Sequence, residues 1–280
     1  MRARIAPVLL GLLALAGCAG EEPPPPPLPA VALPVSGFVL PFDEYQLAAP
    51  DRVTVEKARS TLAETCMRMR GYEVDIPEIG GSNAVAGTEN SRRYGLVDES
   101  VATRFGYHFP SDEASEKRSL RQQEWEAGLS EEVRTLLDGE NGCSDEAQRE
   151  LRKDAPVADT GWLADQDFSA LEESAKLAPV VAAREAWRTC MAGHGFAYAT
   201  PEDAIADAKW QLDSPAPSPE EVRAAQVDVG CKQSTGLVRT WHEAETALQR
   251  QVVERERTRF DEFEAANQAR VANAHRVLGS

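Results

Sequence analysis

The strongest constraint on this chain is a short pattern that occurs twice and each time reads as the end of a helix. Cys66-Met67-Arg68-Met69-Arg70-Gly71-Tyr72 recurs as Cys190-Met191-Ala192-Gly193-His194-Gly195-Phe196. In the same register Thr65 falls on Thr189, Pro77 on Pro201 and Glu78 on Glu202. Gly71 and Gly195 are expected in the left-handed C′ position that closes a helix, where a Cβ would be strained. Tyr72 and Phe196 then fall at C″ and Met67 and Met191 at C3, the pair that touches in a Schellman ending. Upstream, Val55, Ala58, Leu62 and Cys66 follow helical spacing, as do Val180, Ala183, Trp187 and Cys190. The expectation is a mainly α fold made of two related helical halves, 38–155 and 156–280, with a seam between Asp154 and Gly161.

The N-terminus sets the redox state in which those cysteines are read. Met1-Arg2-Ala3-Arg4 is a short basic region, and Ile5 to Leu15 is apolar but shorter than the roughly 20 residues that span a bilayer. Leu15-Ala16-Gly17-Cys18 follows, with small residues before a cysteine, which reads as the lipobox of a bacterial lipoprotein. The expectation is a signal peptide over 1–17, a lipid (diacylglycerol or palmitate) on Cys18, and an extracytoplasmic chain held on the cell membrane by that lipid. Residues 18–37, with Pro23 to Pro27, Pro29 and Pro34, read as a tether. Polyproline II at about 3.1 Å per residue would let some 15 residues lift the folded part by roughly 45 Å.

Of five cysteines, four remain after lipidation: Cys66, Cys143, Cys190 and Cys231. Outside the cytoplasm an even set reads as disulfides. The repeat places one helix-end cysteine and one further cysteine in each half, so Cys66–Cys143 and Cys190–Cys231 are the expected pairs. A structural zinc site made of the four thiols is disfavoured, because such sites use close pairs of the C-x-x-C kind and none is present.

Between the repeats, Arg92-Arg93-Tyr94-Gly95 and Arg104-Phe105-Gly106-Tyr107 repeat an Arg-aromatic-Gly theme after the turn Gly80-Gly81-Ser82-Asn83. Clustered arginines and aromatics on a long loop are a candidate binding surface: Arg92, Arg93, Tyr94, Arg104, Phe105 and Tyr107. The alternative is that the aromatics pack beneath the loop while the arginines answer acidic groups. Further helices are expected around Leu120–Asp138, interrupted at Gly128 and restarted at Ser130, from Ser144, and from Ser218 with Pro219 at N1. Asp51 or Thr54 is the expected cap of the first helix. From Val238 to Leu278 the pattern is one long helix. Trp241, Leu248 and Val252 form one stripe, and Phe260, Phe263, Val271 and Leu278 a second. It either folds back as the core's last helix or offers a coiled-coil surface to a partner.

No G-x-S-x-G elbow, Walker A loop or G-x-G-x-x-G turn is present, and His242-Glu243 lacks the second histidine of a zincin. His194 reads as a helix cap, and Asp165-Gln166-Asp167 hints at a calcium loop whose Gly and Glu are misplaced. No catalytic residue, metal ligand or cofactor site is therefore assigned. Losing Arg2 and Arg4 with the signal peptide takes the formal charge from −16 to −18. Such a surface repels phosphate backbones, so nucleic acid is not an expected partner.

The lipobox, together with Leu40-Pro41-Phe42-Asp43-Glu44-Tyr45, Cys66-Met67, Gly71-Tyr72, Arg93-Tyr94-Gly95-Leu96 and Gly142-Cys143, resembles a family of actinobacterial lipoproteins. The resemblance implies attachment to the outer face of the cytoplasmic membrane and supplies no activity. The expected function is a non-enzymatic envelope module that binds or assists an envelope or membrane protein. A binder of small ligands or cell-wall fragments through the 92–109 loop is the alternative, and a hydrolase with unmarked carboxylates ranks third. Cys18→Ala should move the protein from the membrane fraction to the soluble one on cell fractionation. Retention on the membrane would require a second anchor.

Overall fold

The computed structural model describes residues 38–77, 90–110 and 113–279. The lipobox, Cys18, the tether and the Gly80–Asn83 turn lie outside the described residues. A 3-10 turn at Pro41–Tyr45 leads into α1 (Ala49–Met69), followed by α2 (Glu99–Phe105), α3 (Glu113–Gly128), α4 (Glu131–Asp138) and α5 (Cys143–Leu151). The chain continues through α6 (Thr160–Ala175), α7 (Ala178–Gly193), α8 (Pro201–Ile205), α9 (Pro219–Thr235), α10 (Leu237–Arg255) and α11 (Arg257–Leu278). Among the described residues there is no strand, and no helix is long and apolar enough to cross a membrane.

Both copies of the repeat close their helices in the same way. Gly71 and Gly195 have φ of +91° and +87°. The Tyr72 and Phe196 amides each donate at 3.0 Å to the Met67 and Met191 carbonyls, while Gly71 and Gly195 donate to Arg68 and Ala192. This is the double bond set of a Schellman ending. Ser130 caps α4 by accepting from the Val133 amide, and Ser218 caps α9 by accepting from Glu221. The start of α1 differs from expectation: neither Asp51 nor Thr54 caps it. The helix begins at Ala49 with Pro50 in the first turn, where a missing N–H costs nothing, and the Thr54 hydroxyl donates back to the Pro50 carbonyl. The helix expected from Ser144 begins one residue earlier, at Cys143, with Asp145 and Glu146 in its first turn.

The disulfides are Cys66–Cys143, which ties α1 to α5, and Cys190–Cys231, which ties α7 to α9. Each lies against its own apolar cluster. Ala63, Met67, Ile76, Leu137 and Ala147 surround the first. The larger cluster around the second includes Val180, Trp187, Met191, Ala224 and Trp241. The boundary at 155/156 nevertheless does not divide the packing. Phe38, Tyr94, Leu96, Ala102 and Tyr107 belong to the second cluster, while α11 lies on the first half.

The long C-terminal pattern is two helices, not one. The chain breaks at Glu256 (φ −108°, ψ 29°), within the all-polar turn Glu254–Arg259. Beyond the break, Phe260 and Phe263 join Phe42 and Leu163, and Ala274 joins Val55, Ala58 and Leu151. With Phe260 fully buried and Phe263 nearly so, each ring contributes about 1.5–3 kcal/mol of burial. The apolar stripe of α11 is thus spent on the core, and the fold-back arrangement is the one adopted.

Bridge removal should be costly on both sides. The separations of 77 and 41 residues correspond to about 4.5 kcal/mol for Cys66→Ala/Cys143→Ala and about 4 kcal/mol for Cys190→Ala/Cys231→Ala. Urea denaturation of both variants measures this; a loss below about 1 kcal/mol in either would mean that the unfolded chain is already compact around that bridge.

Candidate functional site

The Arg-aromatic segment, residues 90–110, is where the sequence placed a binding surface, and the structure turns most of it inward. Asp98 caps α2 by accepting from the Ser100 and Val101 amides at 2.7 and 3.0 Å. On its N-terminal side, Tyr94 is 2% exposed and donates its hydroxyl to Glu245 Oε2 at 2.9 Å. Arg93 donates Nη1 to Asp167 Oδ2 at 2.7 Å and Nε to Glu245 Oε1 at 2.8 Å, and its Nη2 closes on both carboxylates. Gln249 donates to Asp167 Oδ1 and Glu245 Oε1 and accepts from the Phe42 amide, which joins the N-terminal turn to the same network. Asp167, part of the calcium-like fragment, is thereby a partner of Arg93.

Electrostatics follows from this enclosure. Burial works against the Arg93 charge, but the hydrogen bonds it donates to Glu245 and Asp167 outweigh burial and raise its pKa. Burial, reinforced by the Glu245 charge, raises the Tyr94 hydroxyl. Arg92 donates to the Tyr107 and His108 carbonyls at 2.8 and 2.7 Å, and burial lowers its pKa. Arg93 and Tyr94 thus face the carboxylates of α6 and α10, while the buried Tyr107 ring lies in the second cluster with Asp228 of α9 near its hydroxyl. What remains outside is Arg104, stacked at 5.0 Å over Phe105, and the Phe109 ring under Arg92 at 4.8 Å.

The C-terminal side of the segment meets α9. Glu221 Oε1 accepts from the Tyr107 amide and lies 2.8 Å from His108 Nδ1. Gly106 has φ +56°, and a Cβ there would meet Glu221 Oε1 at 2.5 Å, so both conformation and space demand glycine. About two turns further along α9, Asp228 accepts from Trp187 Nε1 and from Lys232 Nζ at 2.8 and 2.9 Å. Lys232 Nζ also donates to the Leu96 carbonyl at 2.9 Å. Burial pushes the Asp228 carboxyl up while the Lys232 ammonium pulls it back. Burial and the Asp228 charge together raise the Tyr107 hydroxyl.

Ser214, His108 and Glu221 have the composition of a hydrolytic relay, with His108 Nε2 at 3.2 Å from Ser214 Oγ. The same nitrogen lies 3.1 Å from the Ser214 carbonyl oxygen, and the Ser214 hydroxyl donates to Ala216. The Nε2 contact with the Ser214 carbonyl needs a hydrogen on Nε2, whereas the Nδ1 contact with the Glu221 carboxylate needs one on Nδ1, and a neutral imidazole carries only one. The trio joins the Pro-rich turn to α9 through His108.

Sequence reasoning missed Glu221, Asp228, Lys232, Glu245 and Gln249. A signal for them existed. Glu221, Ala225, Asp228 and Lys232 follow one helical stripe, as do Trp241, Glu245 and Gln249, so polar residues on an otherwise apolar face mark buried charge.

Elsewhere among the described residues, one groove opens beside α3 and another beside the 3-10 turn. The larger, about 590 Å³, runs between α3 and the α1–α4 pair, with Ile76, Trp125, Leu129 and Leu137 on its floor and Arg59 and Glu126 at its rims. Arg134 donates to the Glu126 and Leu129 carbonyls, closing the end of α3. The smaller, about 360 Å³, lies beside the 3-10 turn between Tyr45 and Arg250. No protein-family model, curated protein or solved structure matches the chain.

Arg93→Ala leaves fully buried Glu245 without its cation and should cost about 3–5 kcal/mol, whereas Arg104→Ala on the exposed side should stay within about 0.5 kcal/mol. Thermal and urea unfolding of the two variants separate them. Equal effects would return Arg93 to the surface and revive a ligand role.

Proposed function

We propose that this chain is a lipid-anchored extracytoplasmic docking module that engages an envelope or membrane protein through the α3 groove. The observation that supports this reading most directly is the groove's composition. An indole and aliphatic side chains form the floor, and rims of both charge signs flank it. A half-buried Trp in such a setting is the residue type that anchors protein interfaces. A volume near 590 Å³ suits the apolar side chains of one amphipathic segment laid along α3.

Two further features favour docking over chemistry or small-ligand capture. Arg92, Arg93, Tyr94 and Tyr107, four of the residues that suggested a ligand loop, are occupied within the fold, and the Ser214–His108–Glu221 trio ties the Pro-rich turn to α9. The C-terminal helix, the other surface considered for a partner, lays Phe260 and Phe263 on the core, which leaves α3 as the better-suited face. A tether followed by a rigid helical body fits a protein that must reach a neighbour in the same membrane.

A photocrosslinking amino acid at Gln123, beside the groove, should capture one discrete envelope or membrane protein in cells producing the full-length chain. Trp125→Ala should reduce that adduct at least several-fold, and the same probe at Arg250, on the other groove, should not form it. An adduct insensitive to Trp125→Ala, or formed equally from Arg250, counts against this face. Capture of no protein from Gln123 counts against the docking reading itself.

A further inference from the structure

The corner around the second disulfide differs chemically from its counterpart in the first half. At the first, Arg70 follows Cys66 by four residues and pairs with Glu146, whose Oε2 lies 3.3 Å from Cys66 Sγ. At the second, the equivalent of Arg70 is His194, four residues after Cys190, so its ring returns along the same helix face. The donor atoms of Cys190, His194 and Cys231 all lie within 4.8 Å of one another. His194 Nδ1 is buried and has no hydrogen-bond partner, an unmet acceptor or donor on the ring that stands near the two sulfurs. Cys231 is fully buried, whereas Cys190 and His194 are partly exposed, so solvent reaches the corner from one side.

We propose that reduction of the Cys190–Cys231 bridge converts this corner into a binding site for a thiophilic d10 cation. Its ligands are the two thiolates and the His194 imidazole. A dithiol reductant breaks the sulfur–sulfur bond, its own thiols becoming a disulfide, and leaves two thiols on the protein. The cation then displaces their two protons. With metal–sulfur and metal–nitrogen bonds of about 2.3 and 2.0–2.1 Å, tetrahedral ligands sit roughly 3.6–3.8 Å apart. A Cα–Cα distance of 5.7 Å between the cysteines accommodates that spacing through χ rotation, without backbone movement. The three protein ligands leave one position for water, and no equivalent set forms at Cys66–Cys143, where a carboxylate already held by Arg70 stands in place of the imidazole. Cation and bridge exclude each other, so thiol–disulfide exchange with an oxidised dithiol, itself reduced to two thiols as the Cys190–Cys231 bond re-forms, would expel the cation and close the corner. The inference is independent of the docking face and of the lipid.

The test uses the complete mature chain, reduced under native conditions with a phosphine that is then removed, and Cd2+ as the probe. Thiolate-to-Cd2+ charge-transfer absorption gives stoichiometry and affinity, and far-ultraviolet circular dichroism follows helicity in the same samples. The reduced chain should bind one Cd2+ more than Cys190→Ala/Cys231→Ala, and the oxidised chain should give no charge-transfer band. Loss of outer-shell partners typically weakens metal binding about 10–100-fold, so His194→Ala, which removes a direct ligand, should weaken it at least tenfold. Equal stoichiometry in the double variant or unchanged affinity in His194→Ala overturns the proposal. So does a bridge that resists native reduction, or a loss of helicity on reduction that Cd2+ does not restore.

Discussion

The arrangement of this fold depends on charges taken out of water. Residues 90–110 contribute Arg93, while α6, α9 and α10 contribute Asp167, Glu221, Asp228, Lys232 and Glu245. Desolvating such groups costs several kcal/mol per ion, and their mutual attraction recovers it only when geometry is good and the remaining hydrogen bonds are met. Here most are met. Asp228 accepts from both Trp187 and Lys232, and Glu245 from both Arg93 and Tyr94. Apolar contact alone would let a short segment slide over α9 and α10 at modest cost. A guanidinium that must find two carboxylates, and an ammonium that must find one particular carbonyl, fix its register.

That register ties the two halves together. Each half has its disulfide and its Schellman-closed helix, as expected of a duplicated unit, yet neither closes its core unaided. The second half receives Tyr94, Leu96 and Tyr107 from the first, and the first receives α11 from the second. Gln249 stands at the crossing, bonded to Phe42 at the chain's beginning and to Asp167 and Glu245 inside the network. An exchange of elements in both directions makes unfolding of one half expose the other, so the bridges act on a shared structure. The exposed face of α3 lies outside this exchange.

What could be read from sequence was local. The ends of α1 and α7 followed from Gly71 and Gly195 because a left-handed residue after a helix is a backbone requirement that glycine meets best. The caps at Ser130 and Ser218 followed from side-chain oxygens beside free amides, and the disulfide pairs from the repeat. Where local rules competed, they were less decisive: Pro50 at the start of α1 displaced the caps expected at Asp51 and Thr54, and the polar turn at Glu254–Arg259 broke one long helix into two.

The sequence by itself determined the closures of α1 and α7, the starts of α4 and α9, the cysteine pairs and the apolar stripe of α11, since each is set within a few residues or by an internal repeat, whereas α2 formed inside a segment that read as a long loop. Only the tertiary structure decided what the arginines and aromatics of residues 90–110 do. Arg93 lies 152 positions from Glu245 and 74 from Asp167, and a charge reads the same in sequence whether solvent or a buried carboxylate answers it. The α3 groove belongs to that second class: it exists because packing brings together side chains, such as Ile76, Trp125 and Leu137, whose separation along the chain carries no trace of their meeting.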